Sequence, residues 1–258
     1  MATVILPAGE YGNRIRYGKD AQGYTASSTI ITADDPRGVF TYGEFPMTSM
    51  DALVDLALSH YHKNNESDGK QEHYTMIDLG SGCGRLVFYA ALTRGQQHHQ
   101  QQDGGSSWSI HGIEISDILH DEGLRACLAG MDHGYFQAHD TDNDNPIISQ
   151  QQPPPSNNNQ FTLHRGPAQD FAPLLQQADI VFAYSTAFST AGFSEALGAM
   201  VMGHEWNELL SQNCRPGTVA ITTDRALDPA LGWNLVERMD VDNREVMGST
   251  GYIHIYQP

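Results

Sequence analysis

The chain has 258 residues, long enough for one large α/β domain with a full core, or for such a domain with a small N-terminal addition. Its formal charge of −17 repels phosphate backbones, which disfavours a direct nucleic-acid partner and is compatible with a basic protein partner or with simple solubility. Three cysteines, Cys83, Cys127 and Cys214, without a C-x-x-C pair, argue against a disulfide scaffold and for a reducing intracellular compartment, cytoplasmic or nuclear; no apolar run is long enough to span a membrane, and residues 1–10 lack the basic start of a signal peptide.

Residues 1–36 sustain no period and read as an N-terminal arm or lid, or as a poorly ordered terminus, with one β-rich segment at 25–32. Residues 37–258 form the main domain. An aromatic loop at 37–46 carries Tyr42 and Glu44. Thr48 or Ser49 then suits a helix N-cap, and Leu53, Val54, Ala57, Leu58 and Tyr61 stripe a helix over 50–61. Residues 75–79 read as a buried strand, 85–94 as a helix and 108–115 as a second strand, followed by a helix over 121–129. Two low-complexity insertions interrupt this order, a Gln/His-rich one near 96–107 and a Pro/Asn-rich one near 140–160. His98 and His99 are read as surface loop rather than metal ligands. Asp140, Asp142 and Asp144 mimic a calcium loop, but Asn145 and Gln151 stand where its glycine and closing glutamate belong. No metal site is expected.

Further strands are predicted at 161–164, 178–184, 218–223, 235–241 and 251–256, with a long amphipathic helix over 193–210 that contains His204. Strands alternating with helices imply a mostly parallel sheet with crossover helices. The closing strand pair implies one antiparallel strand, and the last strand alternates as one near an edge does. The expected class is therefore α/β, a Rossmann-like sheet of seven strands with the final one reversed and helices on both faces.

The centre of this pattern is residues 75–84, Thr-Met-Ile-Asp-Leu-Gly-Ser-Gly-Cys-Gly: a strand, a loop with Gly80, Gly82 and Gly84 flanking Ser81 and Cys83, and a helix start. Glycines permit a sharp turn and a close approach of ligand to backbone, and a helix N-terminus offers unpaired N–H groups. The spacing is G-x-G-x-G rather than the dinucleotide G-x-G-x-x-G. Asp78, two positions before the first glycine, suits a ligand with an ammonium or sulfonium group better than a pyrophosphate.

Ligands of such sheets sit at the carboxyl ends of the strands. Glu114 ends the second strand and is placed to accept ribose hydroxyls; it lies 30 positions after Gly84, or 18 once the 12-residue Gln/His tract is set aside, near the roughly 20 expected of a ribose acid. Asp170 and Phe171 follow the third strand and suit an adenine amino group and its ring face, or equally a helix N-cap and a core Phe. Tyr184, Ser185 and Thr186 end the fourth strand, where a hydroxyl orients an incoming nucleophile.

The glycine stretch resembles the first motif of class I S-adenosylmethionine-dependent methyltransferases. Several stretches further resemble the non-SET histone lysine methyltransferases of the disruptor of telomeric silencing family: Tyr42-Gly43-Glu44, Asp78-Leu79-Gly80-Ser81-Gly82, Gly112-Ile113-Glu114, Arg165-Gly166 followed by Asp170-Phe171, and residues 180–188 ending in Ala187-Phe188. The resemblance implies S-adenosylmethionine as cofactor, held by Tyr42, Glu44, Asp78, Gly80, Ser81, Gly82, Gly84, Glu114, Asp170 and Phe171. It implies a protein lysine as methyl acceptor, shaped by Tyr184, Ser185 and Phe188. Tyr184 and Ser185 depart from the two asparagines of that family, and its basic tail has no counterpart here. A small-molecule or non-histone acceptor, or a non-catalytic scaffold, are the alternatives.

Overall fold

From residue 73 onward the chain is built of strands and helices that follow its apolar periods, with strand pairs inserted between some of them. In the computed structural model, residues 16–20, 23–27, 40–41, 45–64, 73–94, 106–133, 136–140, 147–150, 159–243 and 247–258 are described. Tyr42, Glu44, most of the Gln/His tract and much of the Pro/Asn tract lie outside them. Strands β1 (Arg16–Asp20), β2 (Gly23–Ser27) and β3 (Phe40–Thr41) precede helix α1 (Met47–Asn64). Next come β4 (His73–Leu79), α2 (Arg85–Thr93), β5 (Ser107–Glu114), α3 (Asp117–Asp132), β6 (Phe136–Asp140), β7 (Ile147–Gln150) and β8 (Gln160–Arg165). A 3-10 turn (Ala168–Phe171), α4 (Ala172–Leu175) and β9 (Ile180–Ala183) follow, then a 3-10 turn (Ser185–Ala187), β10 (Thr190–Ser194) and β11 (Ala199–Met202). The chain closes with α5 (His204–Asn213), β12 (Val219–Thr223), β13 (Trp233–Val241) and β14 (Ser249–Tyr256). It divides into two compact units, residues 1–7 with 65–182 and residues 8–64 with 183–258.

In the first unit β4, β5 and β8 run parallel, with Asp78 beside Gly112 and Gly112 beside Leu163. β9 flanks β4, and the antiparallel β7 and β6 extend the sheet beyond β8. Ile77, Leu79, Ile110, Phe161 and Val181 are fully buried in its strands; each such side chain contributes about 1.5–3 kcal/mol of transfer free energy. Leu163 packs so tightly under the start of α2 and the second turn of α3 that a Cβ on Gly84 or Gly123 would come within 2.9 and 2.8 Å of it. Two polar clasps fix loop ends. Thr75 and Asp179 exchange N–H donors, to Asp179 Oδ2 at 2.8 Å and to Thr75 O at 2.9 Å. Buried Asn159 donates its amide to the carbonyls of Ala91 and Arg94 and accepts the Trp108 N–H at 3.0 Å.

In the second unit β12, β14 and β13 are antiparallel with β14 in the middle, so His254 lies between Ala220 and Leu235. Helix α1 covers strands of this sheet with Met50, Leu53, Val54 and Ala57, all fully buried. The fit is close: a Cβ on Gly251 would fall 2.2 Å from Leu53 Cδ2. β1, β2 and β3 form a separate antiparallel sheet, and β10 with β11 a hairpin.

The class is α/β and the topology Rossmann-like. Seven strands, β4, β5, β8, β9, β12, β13 and β14, are those the sequence predicts, and the last is antiparallel to β12. Three expectations need correction. No single helix occupies 193–210: Gly198, at φ +57°, turns a hairpin there, and buried Gly203 starts α5, so His204 is an exposed first-turn residue. Apolar residues of the hairpin happen to fall at helical spacing, but glycine at 192, 198 and 203 favours turn over helix. β14 lies next to the edge strand β13, in the edge region its alternation predicts. The region 140–160 is not all polar loop, since β7 lies inside it and pairs with β6. Helix α1 starts at Met47, so Ser49 is inside it, and its hydroxyl donates to Asp242 O at 2.7 Å instead of capping.

Candidate functional site

The carboxyl ends of β4 and β5 hold the glycine loop of the first unit. After Leu79 the backbone turns through Gly80 (φ +72°), Gly82 (φ +58°) and Gly84 (φ +75°), a left-handed succession that side chains beyond glycine resist. The loop is bound down from below. Gly80 and Ser81 N–H both donate to Ile113 O, at 2.9 and 3.1 Å, and Gly84 N–H donates to Ser81 O at 2.9 Å. Gly82 N–H donates to Glu114 Oε2 at 2.8 Å. These four amides are engaged within the protein. Such a loop is poor at gathering phosphate oxygens and good at presenting smooth backbone to a ligand.

Glu114 is 7% exposed and ties three elements together. Its Oε2 accepts from Gly82, its Oε1 accepts the Ser116 N–H at 2.7 Å, and its own carbonyl accepts the Gly166 N–H at 2.9 Å. Burial raises its pKa, and the donors Ser116, Gly82 and Ile115 pull it back down. A carboxylate has about four lone-pair sites, so capacity for ligand hydroxyls remains. Gly112, two residues earlier, is required by space: a Cβ there would meet Ser81 Oγ at 2.7 Å and Val87 at 2.9 Å.

Asp78 is 3% exposed, and its carboxylate has no hydrogen bond among the described residues. Burial, and then the nearby Glu114 charge, push its pKa up to about 7. A buried acid without a donor is costly unless something else supplies the counter-charge. It therefore fits a cationic ligand group, the chemistry its place before Gly80 suggests.

Asp170 and Phe171 lie in the 3-10 turn after β8. Asp170 is exposed, and the Phe171 ring is 5.0 Å from that of His164. Both stand over Gly166 (φ +143°), whose N–H reaches Glu114, so the turn is one hydrogen bond away from the acid. Behind them His164 and His111 form a pair with ring nitrogens 3.1 Å apart; burial holds each at a pKa of about 4. Among the described residues no three metal-ligating side chains gather.

In the second unit the segment after β9 carries Tyr184, Ser185 and Phe188. Tyr184 packs on Phe45 with centroids 5.2 Å apart, and its hydroxyl accepts from Asn243 Nδ2 at 3.1 Å. The Phe188 and Trp206 rings lie 4.4 Å apart, tilted by 30°. Ser185 is wholly buried. Its hydroxyl donates to Thr223 O at 2.7 Å and accepts the Thr223 N–H at 3.1 Å, while its N–H donates to Thr223 Oγ1 at 3.1 Å. Ser185 is thus occupied as a staple to β12 and does not offer a free hydroxyl.

The residues that hold this segment were not singled out from sequence. Arg225 donates Nε to Ser185 O at 3.0 Å and Nη2 to Thr186 O at 2.9 Å. Asp224, at φ +60°, accepts from the hydroxyls of Thr186 and Ser249 and from the Thr250 N–H at 2.9 Å. Asn243 also donates to Ser249 Oγ at 2.8 Å. The signal available was the polar run Thr222-Thr223-Asp224-Arg225 at a strand's carboxyl end, the same rule that selected Glu114.

No family model and no curated protein matches the chain. Solved structures with a similar fold include a putative class I S-adenosylmethionine-dependent methyltransferase from Listeria monocytogenes, at 10% identity and TM-score 0.47, matched over 82% of this chain. This chain spans 60% of the length of that protein. Magnesium protoporphyrin IX methyltransferase from Synechocystis, solved with bound S-adenosylmethionine, matches at 13% identity and TM-score 0.43, over 82% of this chain and 80% of its own. The rRNA methyltransferase aviRa from Streptomyces viridochromogenes matches at 11% identity and TM-score 0.44, over 83% and 86%. No helix among the described residues is long and apolar enough to cross a membrane.

Proposed function

We propose that the protein is an S-adenosylmethionine-dependent methyltransferase. The observation that carries the reading is buried Asp78, without a hydrogen-bond donor among the described residues, beside a left-handed glycine turn, with Glu114 at the next strand end. These residues fit the ligand. Asp78 supplies a counter-charge for its cationic portion, the turn at Gly80, Ser81, Gly82 and Gly84 lets it approach the backbone, and Glu114 has lone pairs left for ribose hydroxyls. Asp170 and Phe171 are assigned to its adenine, and Tyr42 and Glu44 to the same ligand by their place in the sequence. S-adenosylmethionine supplies a methyl group already activated by its sulfonium. The protein's task is then alignment and exclusion of water.

The acceptor we favour is a lysine on a basic protein. The aromatic surfaces of Tyr184 and Phe188 support it, because a dry aromatic lining lowers a lysine pKa by desolvation and removes the need for a dedicated base. The overall charge of −17 also favours a basic partner over nucleic acid. A small-molecule acceptor is the second reading, favoured by the commitment of Ser185 to Thr223, which departs from the amide side chains of the histone enzymes.

Calorimetric titration with S-adenosylhomocysteine tests the donor assignment. Micromolar binding that weakens at least about tenfold in Glu114→Ala is expected, a loss of about 1.4 kcal/mol or more. Absence of binding by the folded wild type overturns it. Transfer of labelled methyl to core histones, to other protein extracts or to metabolite pools then decides the acceptor.

A further inference from the structure

We propose that Asp78 is a proton-exchanging acid: it is neutral before the ligand docks and releases its proton to solvent when the ligand's ammonium group takes its place beside the carboxylate. This rests on the donor reading above and states how the site tells a cationic amino-acid moiety from a neutral one.

The geometry sets up the exchange. Asp78 and Glu114 end neighbouring parallel strands, since Asp78 stands in register with Gly112 and Glu114 lies two residues on. Both are buried, at 3% and 7% exposure. The two carboxylates are treated unequally. Glu114 collects the N–H groups of Gly82 and Ser116, donors that stabilise its charged form. Asp78 collects none among the described residues. When two buried acids share a site, the one without donors keeps the proton. Asp78 is therefore the group that holds it, and Glu114 the group that keeps its charge.

The surrounding charges do not alter this assignment. Glu114, from β5, is the charged group that acts on Asp78, and it acts to raise its pKa. Arg85 starts α2, Asp170 lies in the turn after β8, and Arg165 ends β8, where it pairs with Asp117 at 3.3 Å. None of the three shifts Asp78. Among the described residues no cation stands against Asp78, and the ligand's ammonium supplies one. When that cation arrives, attraction favours the ionised acid, the O–H bond of Asp78 breaks, and its proton goes to bulk solvent. No oxidant or further reactant is needed.

The balance predicts linked proton release. With the free acid half-titrated near neutrality, binding should release about half a proton at pH 7, close to one at pH 6 and few at pH 8. Affinity should fall about tenfold from pH 8 to pH 6.

The test is calorimetric titration with S-adenosylhomocysteine at these three pH values, each in two buffers of different ionisation heat. 5′-Methylthioadenosine, which lacks the amino-acid portion, should bind without proton release and with a pH-independent Kd. Asp78→Asn, shown to be folded by circular dichroism, should bind S-adenosylhomocysteine more weakly, without release and without pH dependence. Binding by the wild type with no proton release at pH 6 and 7 overturns the proposal while leaving the donor reading intact. So does an undiminished release in Asp78→Asn, or an equal release with methylthioadenosine. No binding by the folded wild type overturns both.

Discussion

The Gly82 N–H donates to Glu114 Oε2 at 2.8 Å, so the acid that ends β5 fixes the shape of the loop that follows β4. Glu114 has a structural duty before any ligand arrives. Replacing it with Gln turns one acceptor oxygen into a donor that faces a backbone N–H. Leaving such a buried donor unmatched costs about 1–3 kcal/mol. Glu114→Gln should therefore lower Tm by several degrees in thermal melts followed by circular dichroism, with no ligand present. An unchanged Tm would mean that the loop holds its shape without the acid.

Gly112 is a second point where the loop rests on β5. A methyl group there would press on Ser81 at 2.7–2.8 Å and on Val87 at 2.9 Å. Overpacking of this kind costs about 1–3 kcal/mol. Gly112→Ala should be destabilised in urea titrations, and the double change with Ser81→Gly should recover part of the loss. Full independence of the two changes would argue that Ser81 is not what Gly112 accommodates.

Asp224 combines a left-handed backbone with a carboxylate that receives three donors. Asparagine tolerates this backbone nearly as well and still accepts the Thr250 N–H through its oxygen, but offers one oxygen fewer to the hydroxyls of Thr186 and Ser249. Alanine loses both features. Asp224→Ala should thus cost more stability than Asp224→Asn, and both should raise amide exchange at Phe188, whose N–H donates to Ser185 O. Equal effects of the two variants would show that the carboxylate, not the backbone, dominates.

The histidines set the acid limit of stability. Burial holds His111 and His164 at about 4 and His254 at about 3, below the ordinary 6.5. The unfolded chain binds more protons, so the stability these groups confer by staying neutral is full above pH 6.5 and is lost as pH falls through 6.5 towards 4 and 3. His254 accepts the Leu227 N–H at 3.1 Å, a bond that protonation of Nε2 would abolish. Urea midpoints between pH 7.5 and 4.5 should fall steadily. His254→Gln, which retains an acceptor but does not titrate, should flatten that fall by up to about 1.4 kcal/mol per pH unit.

Asp78 works in the opposite sense. Its pKa is raised from 3.8 to about 7, so its favourable contribution is present below pH 3.8 and is lost as pH rises through 7. Asp78→Asn should melt higher than the wild type at pH 8 and show no such gain at pH 4. A variant that binds ligand less well yet is more stable is the pattern expected of an acid kept for binding.

What could be read from sequence was local. The strand, the three glycines and the acids Asp78 and Glu114 lie close to their structural consequences, and a strand end predicts where a side chain will serve. The fold order followed from apolar periods for the same reason. The misread stretch, 193–210, shows the weakness of periodicity: Phe193, Leu197, Met200 and Val201 match a helical stripe, but Gly198 at φ +57° breaks it into a hairpin that a stripe cannot reveal. The clasp of Ser185 by Thr223, 38 positions away, and of Tyr184 by Asn243, 59 positions away, depends on which strands become neighbours. No local pattern encodes that. Asp224 was missed because an acid beside Arg225 reads as an exposed turn until its three donors are seen.

Asn159 has one further consequence. Its side chain grips Arg94, the last described residue before the Gln/His tract, and Trp108, just beyond the tract's far end. The exit and the re-entry of the chain are thus pinned by a residue that belongs to neither. Lengthening a tethered loop is cheap, about 0.6 kcal/mol per doubling. The tract's length and composition are thereby released from the demands of the core, and the fold works as a chassis into which polar sequence can be spliced or trimmed at that point without moving helix α2 or strand β5.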